Sequence, residues 1–96
     1  MATFIMYGKY SPSVLQQVSA ARTQKALETI KHQGGTVEAM YATLGEHDLV
    51  LVLKFADAQA AMKASIALSR QTGISFSTVE AVPVDEFDRM LGTMAL

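Results

Sequence analysis

The sequence predicts an α+β fold in which one antiparallel sheet carries helices on a single face. Three observations lead there. Apolar patterning alternates between strand-like and helix-like stretches in the order strand, helix, strand, strand, helix, strand, helix. Residues 49–53, Leu-Val-Leu-Val-Leu, are apolar at every position, which predicts a strand buried on both faces. The chain then closes on an amphipathic stretch over 84–94.

Each element has a local cause. Residues 3–10 are rich in β-branched and aromatic side chains and read as the first strand. Ser11-Pro12-Ser13 ends it, and Pro12 suits the first position of a helix. Val14, Leu15 and Val18 give a short apolar face over 13–18, and the phase then breaks at Arg22 and Lys25. A main helix follows over about 20–33, with Ser19 as its N-cap and Gly34-Gly35 as its stop. Residues 36–44 read as the second strand, Gly45-Glu46-His47 as a tight connection, and 48–55 as the third strand. Asp57 caps a helix over 58–72 that ends at Gly73. Its alanines, Ala58, Ala60, Ala61, Ala64 and Ala67, permit close approach to a sheet. Residues 74–82 form the fourth strand, ended by Pro83. Phe87, Met90, Leu91 and Met94 fall at helical spacing in the last helix.

This order is βαββαβ with a C-terminal helix, the ferredoxin-like arrangement, as one domain over residues 1–96. A single helical layer covers one sheet face only, whereas the third strand calls for two dry faces. Two sheets packed face to face resolve the conflict, so a homodimer of the α+β barrel type is expected, with higher homo-oligomers open.

Composition narrows the function classes. Half the residues are apolar and 18% are charged, which excludes a disordered chain. Eight basic residues against nine acidic ones give a net charge of −1, with no Lys/Arg cluster. That argues against nucleic acid as a partner. No apolar run reaches ~18 residues, so no membrane partner is expected. The N-terminal residues lack a signal-peptide pattern, and the expected location is the cytoplasm. There is no cysteine, which removes disulfides, thiol nucleophiles and Cys-ligated metals.

Arg22, the pair Gly34-Gly35 and the run Leu44-Gly45-Glu46-His47-Asp48 together resemble the GYD-domain family, named for a Gly-x-Tyr-Asp turn between its second and third strands. Asp85-Glu86-Phe87 resembles that family's acidic start to its last helix. The resemblance spans about residues 3–91. It implies a dimeric α+β barrel and leaves the activity open. His47 stands where the family has Tyr, which takes the phenol from that position.

Five residues are candidates for lining a ligand cleft between the sheet and the helices: Tyr7, Arg22, Tyr41, His47 and Asp48. His47 and Asp48 are also the candidate catalytic pair, since an imidazole beside a carboxylate suits proton transfer near neutral pH. The same pair also reads as a hairpin corner, with Gly45 at positive φ and Asp48 bonded to backbone amides. Tyr7 and Tyr41 lie within strands, where buried rings with satisfied hydroxyls are expected. Tyr10, at the strand exit, is nearer a cleft mouth. Arg22 opposes the dipole at its helix start, so it needs a specific partner: Asp48, Glu46, a ligand carboxylate or another subunit. His32, near a helix C-terminus, complements the dipole there. His32, Glu46, His47 and Asp48 lack metal-ligand spacing, so no metal and no cofactor are expected.

These readings support a dimeric small-molecule-binding protein. Two alternatives stay open. One is a cofactor-independent enzyme, monooxygenase-like or isomerase-like, with His47 taking a proton and Arg22 or Tyr41 holding the oxyanion. The other is a regulatory or structural subunit.

Overall fold

The computed structural model describes residues 1–94. The elements are β1 (Ala2–Lys9), α1 (Pro12–Leu15), α2 (Ala20–His32), β2 (Thr36–Ala42), β3 (Leu49–Phe55), α3 (Ala58–Thr72), β4 (Ser75–Ala81) and α4 (Val84–Gly92). The strands form one sheet in the order β2-β3-β1-β4, with every neighbouring pair antiparallel. This is the expected ferredoxin-like α+β architecture.

The helix boundaries follow from their caps. Ser19 Oγ accepts from the Arg22 amide at 3.2 Å, and Asp57 Oδ1 accepts from the Ala60 amide at 2.8 Å. Both satisfy a donor that the first helical turn leaves free. α3 ends at Gly73 in a left-handed cap, φ 76°.

Side-chain alternation divides the sheet into two faces. Phe4 and Met6 of β1 and Leu51, Leu53 and Phe55 of β3 are buried with Ile30 of α2 and Ala61, Ala64 and Leu68 of α3. The Phe4 and Phe55 rings meet edge to face, 5.9 Å between centroids. Gly35 lies against this core: a Cβ there would strike the Phe55 ring and Ile30.

On the other face, Ile5 pairs in register with Val52 and Val79, and Tyr7 with Val50 and Ser77. No described helix lies over this face. The continuous apolar run of β3 therefore serves two surfaces: Leu51 and Leu53 face the core, whereas Val50 and Val52 line a face that one copy leaves open.

β2 carries an irregularity. Val37 pairs with Leu53 and Ala39 with Val52, so Glu38 is a bulge. The bulge reverses the facing of the residues beyond it. Tyr41, expected to be buried within a strand, instead stands on the uncovered face, 60% exposed.

α4 departs from the body. It makes no extended contact with another described element. Val84, Phe87, Met90 and Leu91 are exposed, as is Met94 just beyond the helix. The described chain measures 52 Å along its longest axis. No described helix is long and apolar enough to cross a membrane.

Candidate functional site

The β2–β3 corner is built from the chain's own bonds. Gly45 adopts φ 125°, a value that L side chains rarely reach. The Thr43 amide donates to the Asp48 carbonyl at 2.9 Å, and the Thr43 hydroxyl to the His47 carbonyl at 2.7 Å. Asp48 then ties the corner to the end of β1. Its amide donates to the Gly8 carbonyl at 2.8 Å, and its Oδ2 accepts from the Tyr10 amide at 2.8 Å. This is the hairpin-corner reading, extended to a partner 38 residues away.

His47 does not share that bond. Its ring lies beside Tyr7, 4.7 Å between centroids and tilted by 34°. The pair borders a shallow hollow on the uncovered face with Lys9, Ser75 and Ser77. No hydrogen bond joins the His47 and Asp48 side chains among the described residues, so the geometry gives them no common proton path.

On the helical side lies a small apolar cleft of about 60 Å³. Leu49, Leu51, Ile74 and Phe76 line it from the sheet side, and Val14 and Val18 from the segment around α1. Tyr10, Ser19, Arg22 and Thr23 add polar groups, with Arg22 the one charged side chain in the lining among the described residues.

Arg22 has the specific partner that its unfavourable place at a helix start demands. Its guanidinium donates to the Thr72 carbonyl at 2.8 Å and to Gln17 Oε1 at 2.5 Å. The first contact sets a cation against the carbonyl end of α3, the favourable end of that helix dipole. None of the four partners expected from the sequence is needed to explain it.

Tyr10 borders the same cleft. Burial, and secondarily the Asp48 carboxylate, push its phenol above the ordinary value of 10.0. The neutral hydroxyl is therefore the form this position favours.

The five candidates thus divide. Arg22 lines the helical cleft, and Asp48 anchors the backbone of Tyr10 beside it. Tyr7, Tyr41 and His47 belong to the opposite side of the sheet, because they occupy the outward-facing positions of β1, β2 and the corner. Sequence reasoning missed Thr72, whose main-chain oxygen is what Arg22 reads. A main-chain acceptor leaves no side-chain signal in the sequence.

The family model described as the GYD domain matches residues 4–91. No curated protein matches the chain. Several solved structures share the fold. One is the leucine response regulatory protein LrpA of Mycobacterium tuberculosis, 13% identical, TM-score 0.57, matched over 85% of this chain and 51% of that one. A feast or famine regulatory protein of the same organism, complexed with L-methionine, is 14% identical, TM-score 0.58, matched over 86% and 51%. The structure described as FFRP-DM1 is 19% identical, TM-score 0.60, matched over 85% and 100%. The chain spans about half the length of the first two. At these identities the likeness is one of fold.

Proposed function

The chain belongs to the GYD-domain family, and from that premise we propose a homodimeric small-molecule-binding protein whose ligand enters the cleft between the sheet and the helices. The observation that carries this reading is Arg22, a charged side chain bordering a mainly apolar cleft. A guanidinium has five N–H donors. Two bonds hold this one in place, and donors remain for an acceptor on a ligand. The fitting ligand is small, with an apolar body and a carboxylate end.

As it stands the cleft, about 60 Å³, has room for only a few atoms, since ligand pockets run to roughly 300 Å³ and more. The segment at 12–18 is the wall suited to move. It carries Val14 and Val18 to the cleft, and α1 makes no extended contact with another described element. The homodimer is supported by the uncovered apolar face around Ile5, Val50, Val52 and Val79.

L-methionine is bound by one of the similar folds. That property belongs to that protein, and it makes amino acids the first probes here. The test is a ¹⁵N-NMR titration with L-methionine, L-leucine and short aliphatic carboxylates. The expected result is saturable shifts at Tyr10, Arg22 and residues 72–74 that Arg22→Ala abolishes. Saturable shifts confined to the Tyr7–His47 side would move the site to the other face. No saturable shift with any probe would overturn the reading for this ligand class.

A further inference from the structure

We infer that α4 is an arm that packs on a second copy of this chain; the inference rests on the homodimer proposed above and adds to it. Val84, Phe87 and Leu91 recur at helical spacing on α4, with Met90 beside them and Met94 just beyond the helix, and their exposures run from 46 to 73%. Exposed apolar residues scattered singly are ordinary, but a contiguous stripe marks an interaction surface. No other described element makes an extended contact with this stripe.

Area and charge identify the occupant. The uncovered sheet face is four strands wide and about seven residues long, so it spans roughly 19 by 23 Å, or about 440 Å². A stable interface takes about 800 Å² from each partner. The sheet face alone falls short. Val84, Phe87, Met90, Leu91 and Met94, exposed to between 46 and 73%, supply further apolar surface toward that total. The stripe also continues from that face, because Val79 and Ala81 of β4 lead through Val82 and Pro83 into Val84.

Charge points the same way. Residues 84–96 hold Arg89 against Asp85, Glu86 and Asp88, a net −2. Residues 1–83 hold seven basic and six acidic residues, a net +1. The helix thus complements a copy of the body it extends from. An acidic polar face is the reverse of what binds an anionic membrane surface.

The experiment uses the full chain in two measurements. Sedimentation equilibrium compares the native protein with a Phe87→Asp/Leu91→Asp variant, whose changes lie outside the folded core. The dimer dissociation constant is expected to rise at least ~30-fold, as for loss of an interface hot spot. Isotope-filtered NOEs in a mixed dimer of labelled and unlabelled native chains are expected to connect Phe87 and Leu91 to the other copy. A native dimer that the variant leaves equally tight, or NOEs from α4 only to its own chain, would overturn the arm and leave the dimer standing. A monomeric native chain would overturn the dimer itself, and the arm with it.

Discussion

The Arg22 guanidinium donates to the Thr72 carbonyl at 2.8 Å across 50 residues of chain. It joins the first turn of α2 to the last turn of α3, so one side chain closes the ends of two helices over the cleft. Arg22→Ala removes this charge-assisted bond and is expected to lower stability by about 1–2 kcal/mol in urea unfolding. Arg22→Lys restores the charge without the planar fork and is expected to recover only part of the loss. Equal stability in all three proteins would show that the bond contributes nothing to the fold.

Asp48 performs the corresponding task for the strands. Its carboxylate accepts the Tyr10 amide where β1 leaves the sheet. Asp48→Ala leaves that part-buried donor without its acceptor and is expected to cost about 1–3 kcal/mol. Asp48→Asn keeps an acceptor oxygen and is expected to cost less. Amide hydrogen exchange at Tyr10 checks the cause directly: protection should fall in the Ala variant more than at the centre of β1.

The Tyr10 phenol brings a pH dependence. Burial first, and the Asp48 carboxylate second, raise the Tyr10 phenol above its ordinary value. The folded chain therefore holds this proton more tightly than the unfolded chain. The resulting stability is fully present below about pH 10, the unfolded value, and is lost as pH rises through the higher folded value. Relative to Tyr10→Phe, the native protein should lose stability above about pH 10, and Asp48→Asn should weaken that trend. A native-minus-variant difference that stays flat through this range would contradict the assignment.

Gly35 supplies a packing test remote from the cleft. Its missing Cβ leaves room for the Phe55 ring. Gly35→Ala overpacks this contact and is expected to cost about 1–3 kcal/mol, lowering Tm by ~4–8 °C for each kcal/mol lost in a domain of this size. An unchanged Tm would mean that Phe55 and Ile30 relax freely, in conflict with their burial at the centre of the core.

The elements were legible because their punctuation is chemical. Ser19, Asp57 and Gly73 cap helices where their side chains, or the lack of one, require it. The facing of the strands was not legible. β1 carries Phe4 and Met6 at even positions and Tyr7 at an odd one, so either set could have formed the core face. The Glu38 bulge leaves no clear mark in the sequence, yet it turns Tyr41 from the core side to the open side. The partner of Arg22 was hidden for a different reason. A main-chain carbonyl belongs to every residue type, so no side-chain pattern records that Thr72 is the acceptor. Only the need for some partner was readable, from the helix dipole.

The open sheet face yields the sharpest test of assembly. Val52 stands on it between Ile5 and Ala39, with its side chain turned from the core. Val52→Lys places an unpaired charge at the centre of the proposed contact while leaving Leu51 and Leu53 in place. Desolvating such a charge is costly, so the dimer dissociation constant is expected to rise at least ~100-fold, which corresponds to about 2.7 kcal/mol. Val52→Thr keeps the branched shape and is expected to remain dimeric. Circular dichroism should show both variants folded, because neither alters the helical side. Sedimentation equilibrium then decides: a Lys variant as dimeric as the native protein would remove this face from the interface.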